Sequence, residues 1–136
     1  MKRGDPKSAA NELRRYALSF PEAMEDFPWG DRVVKVRKKV FVFLGKGDRG
    51  LGLSAKLPQS HDAALMLPFS EPTAYGLGRA GWVTAHFDED QSVPVPLLKE
   101  WVRESYGAVA PKKLVQQLLE SESEPGPVAA RSKRRS

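Results

Sequence analysis

The sequence predicts an α+β protein in which an antiparallel sheet of about four or more strands packs against helices. Three strand-length apolar runs follow one another closely at Val33–Arg37, Val40–Leu44 and Leu51–Lys56, and a fourth occupies Trp82–Phe87. Segments with apolar residues at helical spacing lie before, between and after these runs. The predicted element order is therefore α-β-β-β-α-β-α-α.

The first helix is predicted to begin at Asp5-Pro6. An Asp side chain caps free N–H groups at a helix start, and Pro suits the first helical position. One apolar face then recurs at helical spacing through Leu13, Tyr16, Ala17 and Phe20. Pro21 ends or bends this helix because it cannot donate a backbone hydrogen bond.

Residues 20–31 are predicted to form a shaped loop, because they contain two prolines and one glycine. We expect at most one helical turn at Glu22–Asp26, with Phe27 and Trp29 filling the core. The segment also holds three carboxylates, Glu22, Glu25 and Asp26. We interpret them as solvated groups that cap a helix N-terminus rather than as an acid/base pair.

The stretch Arg32–Lys56 contains eight Lys or Arg residues and one acid, so its local charge of +7 exceeds the +5 of the whole chain. The charges concentrate at two predicted turns, Lys38-Lys39 and Lys46–Arg49. Three more flank the turns: Lys35, Arg37 and Lys56. The second turn lacks the spacing of a Walker loop and joins two strands, so it is predicted to be a basic hairpin tip.

The remaining helices are predicted at residues 59–67, from Leu97 to a glycine cap at Gly107, and at residues 111–120. After Ser121 the composition becomes polar and proline-containing, with no packing pattern. We therefore predict a single domain over residues 1–120 and a disordered basic tail over residues 121–136. The tail adds four basic residues, Arg131, Lys133, Arg134 and Arg135.

Composition excludes several kinds of protein. The chain has no cysteine, which excludes disulfides, thiolate catalysis and cysteine-ligated metals. No apolar run approaches a membrane span, and the N-terminus does not resemble a secretory signal, so we expect a cytoplasmic protein with no membrane partner. His86 precedes the acidic run 88–90, which is predicted to be a solvated turn rather than a metal site. We expect no metal, no cofactor and no catalytic residue.

Four motifs in order resemble the MmcQ/YjbR family. Ala17 to Gly30 is similar to the family opening, in which an "LSLPG" helix end leads into an "FPFG"-like loop. KVRKKVFVFL resembles the "KVGGKMFALL" hairpin, with Arg37-Lys38 in place of its glycines. The segment around Arg79 resembles "YHLNKRHWNTV", with Gly78 and Gly81 replacing the polar neighbours of Arg79. The last motif is a "DHSYxxV…PKK"-like region. The resemblance as a whole covers about residues 12–118.

The resemblance implies a fold similar to the CyaY-like α/β sandwich. It also implies a "double wing" of two hairpins, an arrangement suggested to bind DNA. Two hairpins that carry Lys and Arg agree with that suggestion on the residues alone.

We therefore expect a non-enzymatic, monomeric protein that binds nucleic acid. The expected ligand is double-stranded DNA, contacted at its phosphates. The predicted contact residues are Lys35, Arg37, Lys38, Lys39, Lys46, Arg49, Lys56 and Arg79, with Arg131, Lys133, Arg134 and Arg135 as a flexible clamp. A different interpretation is that lysines on exposed strands only prevent association between sheets. A second hypothesis is a small-molecule- or protein-binding adaptor with an aromatic-lined pocket formed by Trp29, Tyr75, Trp82 and Trp101.

Overall fold

The structure, a computed structural model, describes residues 5–28, 32–45, 50–74 and 77–123. In these residues a six-stranded antiparallel sheet has the order β1-β2-β3-β4-β6-β5. The strands are β1 (Ala23–Asp26), β2 (Arg32–Val36), β3 (Lys39–Gly45), β4 (Leu51–Lys56), β5 (Ser70–Pro72) and β6 (Trp82–Phe87). The helices are α1 (Pro6–Leu18), α2 (His61–Leu65), α3 (Val95–Val109) and α4 (Lys112–Ser123), and a one-turn 3₁₀ helix spans Leu77–Ala80.

The predicted α+β class is confirmed, and the four predicted strands are all present within one or two residues of their expected bounds. The cap at Asp5 is also present, because its Oδ1 accepts the Ser8 N–H at 2.8 Å. The sheet has two further strands, β1 and β5, which form its two edges. Neither was predicted, since each is four residues or shorter and carries charge or proline.

The segment predicted as a loop with one helical turn is strand β1. It pairs antiparallel with β2, with Ala23 opposite Val36 and Asp26 opposite Val33. Phe27 follows the strand and is 52% exposed, so the expectation that it fills the core is wrong. Trp29 lies outside the described residues.

The core lies between one face of the sheet and the helices. Residues paired directly across antiparallel strands share a face, and Val34, Val42, Ala55 and Val83 form such a row. All four are fully buried and belong to one apolar cluster with residues of α1, α3 and α4. Apart from Phe41 of β3, the residues next to these four in their strands lie on the opposite face.

A β-bulge in β3 brings an additional ring into the core. Val34 pairs with Val42 while Lys35 pairs with Val40, which leaves Phe41 as the extra residue. Its ring is fully buried, with its centroid 5.1 Å from that of Tyr106. The predicted continuous apolar run Val40–Leu44 is thus accommodated by the bulge.

The C-terminal helices differ from the predicted bounds. Gly107 was expected to cap α3 but lies inside it, and the helix ends at Val109. Ala110 is extended (ψ 152°) because it precedes Pro111, which disfavours the helical region for its neighbour. α4 continues to Ser123, past the predicted boundary at residue 120. Among the described helices, none has the length and apolarity needed to cross a membrane.

Candidate nucleic-acid interface

The turn between β2 and β3 consists of Arg37 and Lys38, not of Lys38-Lys39 as predicted. Val36 pairs with Lys39, which makes Lys39 the first residue of β3. Arg37 and Lys38 both have positive φ, 51° and 72°. Two residues of positive φ between paired strands form a type I′ turn, which matches the twist of the strands and favours Asn or Gly. Arg37 and Lys38 are both exposed.

The two predicted basic turns lie at opposite ends of β3. The β2–β3 turn precedes Lys39, whereas residues 46–49 follow Gly45 at the far end of the strand. β3 has seven residues, so its ends are separated by about 20 Å. Lys46 and Arg49 themselves lie outside the described residues, as do Arg131, Lys133, Arg134 and Arg135.

Lys56 and Arg79 lie at the same end of the sheet as the β2–β3 turn. β4 is antiparallel to β3 and ends at Lys56, which pairs with Trp82 at the start of β6. Arg79 is exposed in the 3₁₀ helix just before β6. Since neighbouring strands are about 4.8 Å apart, Lys39, Lys56 and Arg79 follow one another across this end.

The structure pairs three basic residues of β2 and its turn with the three carboxylates around β1. Arg37 Nε and Nη2 donate to the two carboxylate oxygens of Glu22, at 2.5 and 3.0 Å. Lys35 Nζ lies 3.2 Å from Asp26 Oδ2. The third carboxylate, Glu25, is held by Arg14 and Arg32. These acids were expected to be solvated and to cap a helix N-terminus. Glu22 and Asp26 are exposed, as expected, but all three acids pair with basic side chains at the edge of the sheet, so the expected capping role is wrong.

Glu25 differs from the other two carboxylates because it is the least exposed, at 17%. Arg14 of α1 donates to both of its oxygens, at 2.6 and 2.8 Å. Arg32 Nε is 3.0 Å from Glu25 Oε2 but forms no hydrogen bond in this arrangement, so charge attraction accounts for the contact. The Arg14 hydrogen bonds lower the pKa of Glu25, and both guanidinium charges add to that effect. Glu25 therefore joins α1 to β2.

Lys112 and Lys113 are two further basic residues, which were not among the predicted site residues. Both are exposed in the first turn of α4. Tyr106 donates to the Pro21 carbonyl oxygen at 2.7 Å, which fixes the end of α3 beside Glu22. The pKa of Glu22 is lowered mainly by the Arg37 hydrogen bond, and the charge of Lys113 contributes. Lys113, in the first turn of α4, is thus within electrostatic range of Glu22.

We call this surface the basic end of the molecule. It consists of Arg37, Lys38, Lys39, Lys56, Arg79, Lys112 and Lys113. The sequence does contain a local sign that Lys112 and Lys113 are functional. Both lie in the first turn of a helix, where positive charges oppose the helix dipole. Within the described part of the chain, Lys38, Lys39, Lys112 and Lys113 have no ion pair.

The aromatic residues of the adaptor hypothesis do not line a common pocket in the described residues. Trp101 is 3% exposed in the core, with its ring 6.4 Å from that of Phe69. Trp82 lies on the opposite sheet face, where its ring is 5.4 Å from that of Phe43 and it is 7% exposed. Trp29 and Tyr75 lie outside the described residues.

His86 pairs with Glu71 and not with the acidic run 88–90 that follows it. Its Nε2 is 2.6 Å from Glu71 Oε2, and both side chains are more than half exposed. In the ranges that the structure describes, no three His, Asp or Glu residues are grouped as metal ligands would be.

The fold and the site define an α+β protein whose antiparallel sheet carries basic residues at one end. The chain belongs to the YjbR family, whose model matches residues 18–108. These residues include all six strands and most of α3. The crystal structure of Deinococcus radiodurans protein DR2400, which contains the DUF419 domain, is similar to this chain. Its TM-score is 0.63 at 26% identity, over 79% of this chain and 86% of that chain. No curated protein matches the sequence.

Proposed function

We propose that this protein is a non-enzymatic DNA-binding protein that contacts the phosphate backbone of a duplex through its basic end. The proposal rests on basic residues at positions where they lower the stability of the fold. Lys38 occupies a left-handed turn position that glycine fills without strain, and Lys112 and Lys113 oppose the dipole of α4. Departures from local preference are expected at functional sites, and here they lie together at one end of the fold.

Prevention of association between sheet edges does not account for these charges. Charged residues protect a sheet when they lie on edge strands, whereas β2, β3 and β4 are interior strands. The edges are β1, which carries Glu25 and Asp26, and β5, which carries Glu71 and Pro72. The edges are thus protected by acids and proline, and the interior lysines need another explanation.

Binding of this kind carries little sequence information, because phosphate contacts position a protein without identifying bases. Lys46 and Arg49 would add contacts at the far end of β3. The basic residues 131–135 would act as a tethered clamp, whose effective concentration is raised by the linkage to the domain.

A salt titration of binding to a labelled duplex tests the proposal. The logarithm of the affinity should fall linearly with the logarithm of salt concentration, with a slope of about −0.9 per phosphate contact. Lys38→Gln/Lys39→Gln and Lys112→Gln/Lys113→Gln should each weaken binding and reduce the slope by up to about 1.8. A single change, Lys38→Gln, has Lys7→Gln as its charge-matched control, because Lys7 is an exposed residue near the start of α1.

Three results would contradict the proposal or relocate the site. Absence of binding by the full chain at low salt would contradict DNA binding altogether. An equal loss in Lys38→Gln and Lys7→Gln would show that net charge matters and the basic end does not. Loss of binding in a chain that ends at Ser123, which keeps all of α4, would place the site in residues 124–136.

A further inference from the structure

We infer that Glu22 and Asp26 act as intramolecular competitors of nucleic-acid phosphates, so that the segment around β1 limits the affinity of the basic surface. This inference rests on the proposed function, because Arg37 belongs to the basic end and Lys35 of β2, a predicted contact residue, lies two residues before it. Each carboxylate is paired with a residue that would otherwise face a phosphate: Glu22 with Arg37, and Asp26 with Lys35.

The Glu22–Arg37 pair uses the donors that recognise phosphate. Nε and Nη2 of a guanidinium form a planar fork that binds a carboxylate or a phosphate through two parallel hydrogen bonds. In the structure Glu22 fills that fork with both of its oxygens. Both residues also have left-handed backbones, with φ of 58° at Glu22 and 51° at Arg37. The two side chains therefore meet from two strained turns.

The Asp26–Lys35 pair is a second pair of this kind, and Lys35 of β2 lies two residues before Arg37. Asp26 is oriented by its own backbone, since its Oδ1 accepts the Phe27 N–H at 2.8 Å. Its other oxygen is then directed at Lys35 Nζ. The Phe27 N–H lowers the pKa of Asp26 most, and the Lys35 hydrogen bond lowers it further. Asp26 is thus a fixed anion beside Lys35.

These pairs are weak enough for a phosphate to displace them. Glu22 and Arg37 are 49% and 51% exposed, and Asp26 is 52% exposed, whereas Lys35 is 27% exposed. Exposed ion pairs gain little in water and are screened by salt. After displacement, each carboxylate remains tethered near the bound phosphate and repels it. Glu25 is excluded from this role, because it is largely buried between two arginines.

Removing the two negative charges should therefore strengthen binding. Glu22→Gln and Asp26→Asn should each increase duplex affinity about two- to five-fold at low salt, and the double variant by about the product. The salt slope should become steeper by up to about one for each change. Arg37→Gln should abolish the gain from Glu22→Gln, since the freed group is then absent.

Glu122→Gln is the matched control. Glu122 forms the same two-oxygen pair with Arg103, with side chains 39% and 42% exposed. It lies about 15 Å along α4 from Lys112, so the same charge change is made away from the basic end. We expect at most a small gain in this variant.

The outcomes separate this inference from the proposed function. Equal gains in Glu22→Gln and Glu122→Gln would overturn the inference and leave DNA binding intact. Weaker binding by Glu22→Gln, with an unchanged unfolding midpoint, would show that Glu22 positions Arg37 for the phosphate instead. Absence of binding by the wild type and by every variant would overturn both.

Discussion

At the residue scale, Lys38 combines a conformational cost with an exposed charge. Its φ of 72° is in the left-handed region, where a Cβ atom crowds the following carbonyl oxygen. Arg37 at the other turn position has its guanidinium held by Glu22, whereas Lys38 has no ion pair among the described residues. In the described residues, no ion pair of the Lys38 side chain therefore offsets the strain of its backbone.

Lys38→Gly should change stability and affinity in opposite directions. Glycine adopts the left-handed region without strain, so the free energy of unfolding should rise by up to about 1 kcal/mol. Duplex affinity should fall, because one unpaired cation is lost. Urea denaturation and a binding titration on the same sample measure the two effects. Lys39→Gly, in strand β3, should lower both the free energy of unfolding and the duplex affinity. A loss of stability in Lys38→Gly would show that the backbone at Lys38 is not strained.

At the element scale, Ser105 joins α3 to the sheet where the bulge interrupts it. The β3–β4 pairing begins at Val42 and Ala55, so Phe41 and Lys56 are not paired with each other across these two strands. The Ser105 hydroxyl is fully buried and bridges the gap. It accepts the Lys56 N–H at 2.8 Å and donates to the Phe41 carbonyl oxygen at 2.5 Å.

Ser105→Ala should destabilise the protein by about 2 to 4 kcal/mol. The change removes the partner of the part-buried Lys56 N–H and of the buried Phe41 carbonyl oxygen, and an unsatisfied buried group costs about 1 to 3 kcal/mol. The midpoint of urea denaturation should fall, with its slope unchanged. Ser92→Ala, at an exposed position, controls for the loss of a hydroxyl. A loss within about 0.5 kcal/mol in both variants would contradict the bridging role.

The long elements were predictable from the sequence, and the short edge strands were not. The apolar spacing of α1 and the apolar runs of β2, β3 and β4 are local signals that survive in the fold. β1 gives no such signal, because its acidic residues resemble a loop and become a strand only by pairing with Val33–Val36. The bulge at Phe41 and the bridge from Ser105 depend on residues that are remote in sequence.

The candidate site was predictable to a similar extent. The positive charges of Arg32–Lys56 are evident in the sequence, but folding pairs Lys35 with Asp26 and Arg37 with Glu22, and Arg32 shares Glu25 with Arg14. Lys112 and Lys113 were missed because they are distant in sequence from the hairpin they adjoin. A count of basic residues along the sequence omits the acidic and basic residues that folding brings next to them.

At the scale of the whole molecule, lowered carboxylate pKa values link the fold to pH, and besides Asp26 they belong to three glutamates held by arginine. Arginine hydrogen bonds lower the pKa of Glu22, Glu25 and Glu122 from the ordinary 4.5. A folded pKa below the unfolded value means that the unfolded chain binds protons first as the pH falls. The stabilisation is therefore complete above about pH 4.5 and is lost as the pH falls through the folded values.

Glu25→Gln should reduce the acid sensitivity of the protein. Glu25 is the most buried of the three, so its removal should flatten the dependence of the free energy of unfolding on pH below 4.5. The variant should also be less stable than the wild type at pH 7, because Arg14 and Arg32 lose their partner. Denaturation at a series of pH values measures both effects. Glu89→Gln, at an exposed position, controls for net charge, and parallel curves for wild type and Glu25→Gln would contradict this linkage.

The length of β3 also sets the reach of the molecule on a duplex. Its ends are about 20 Å apart, which corresponds to about six base pairs along one strand and is less than one helical repeat of 34–36 Å. Contacts made at the two ends of this strand therefore cannot reach successive turns of the same groove. On the proposed function, protection of a longer stretch of DNA requires the tethered residues 131–135 or further copies of the protein.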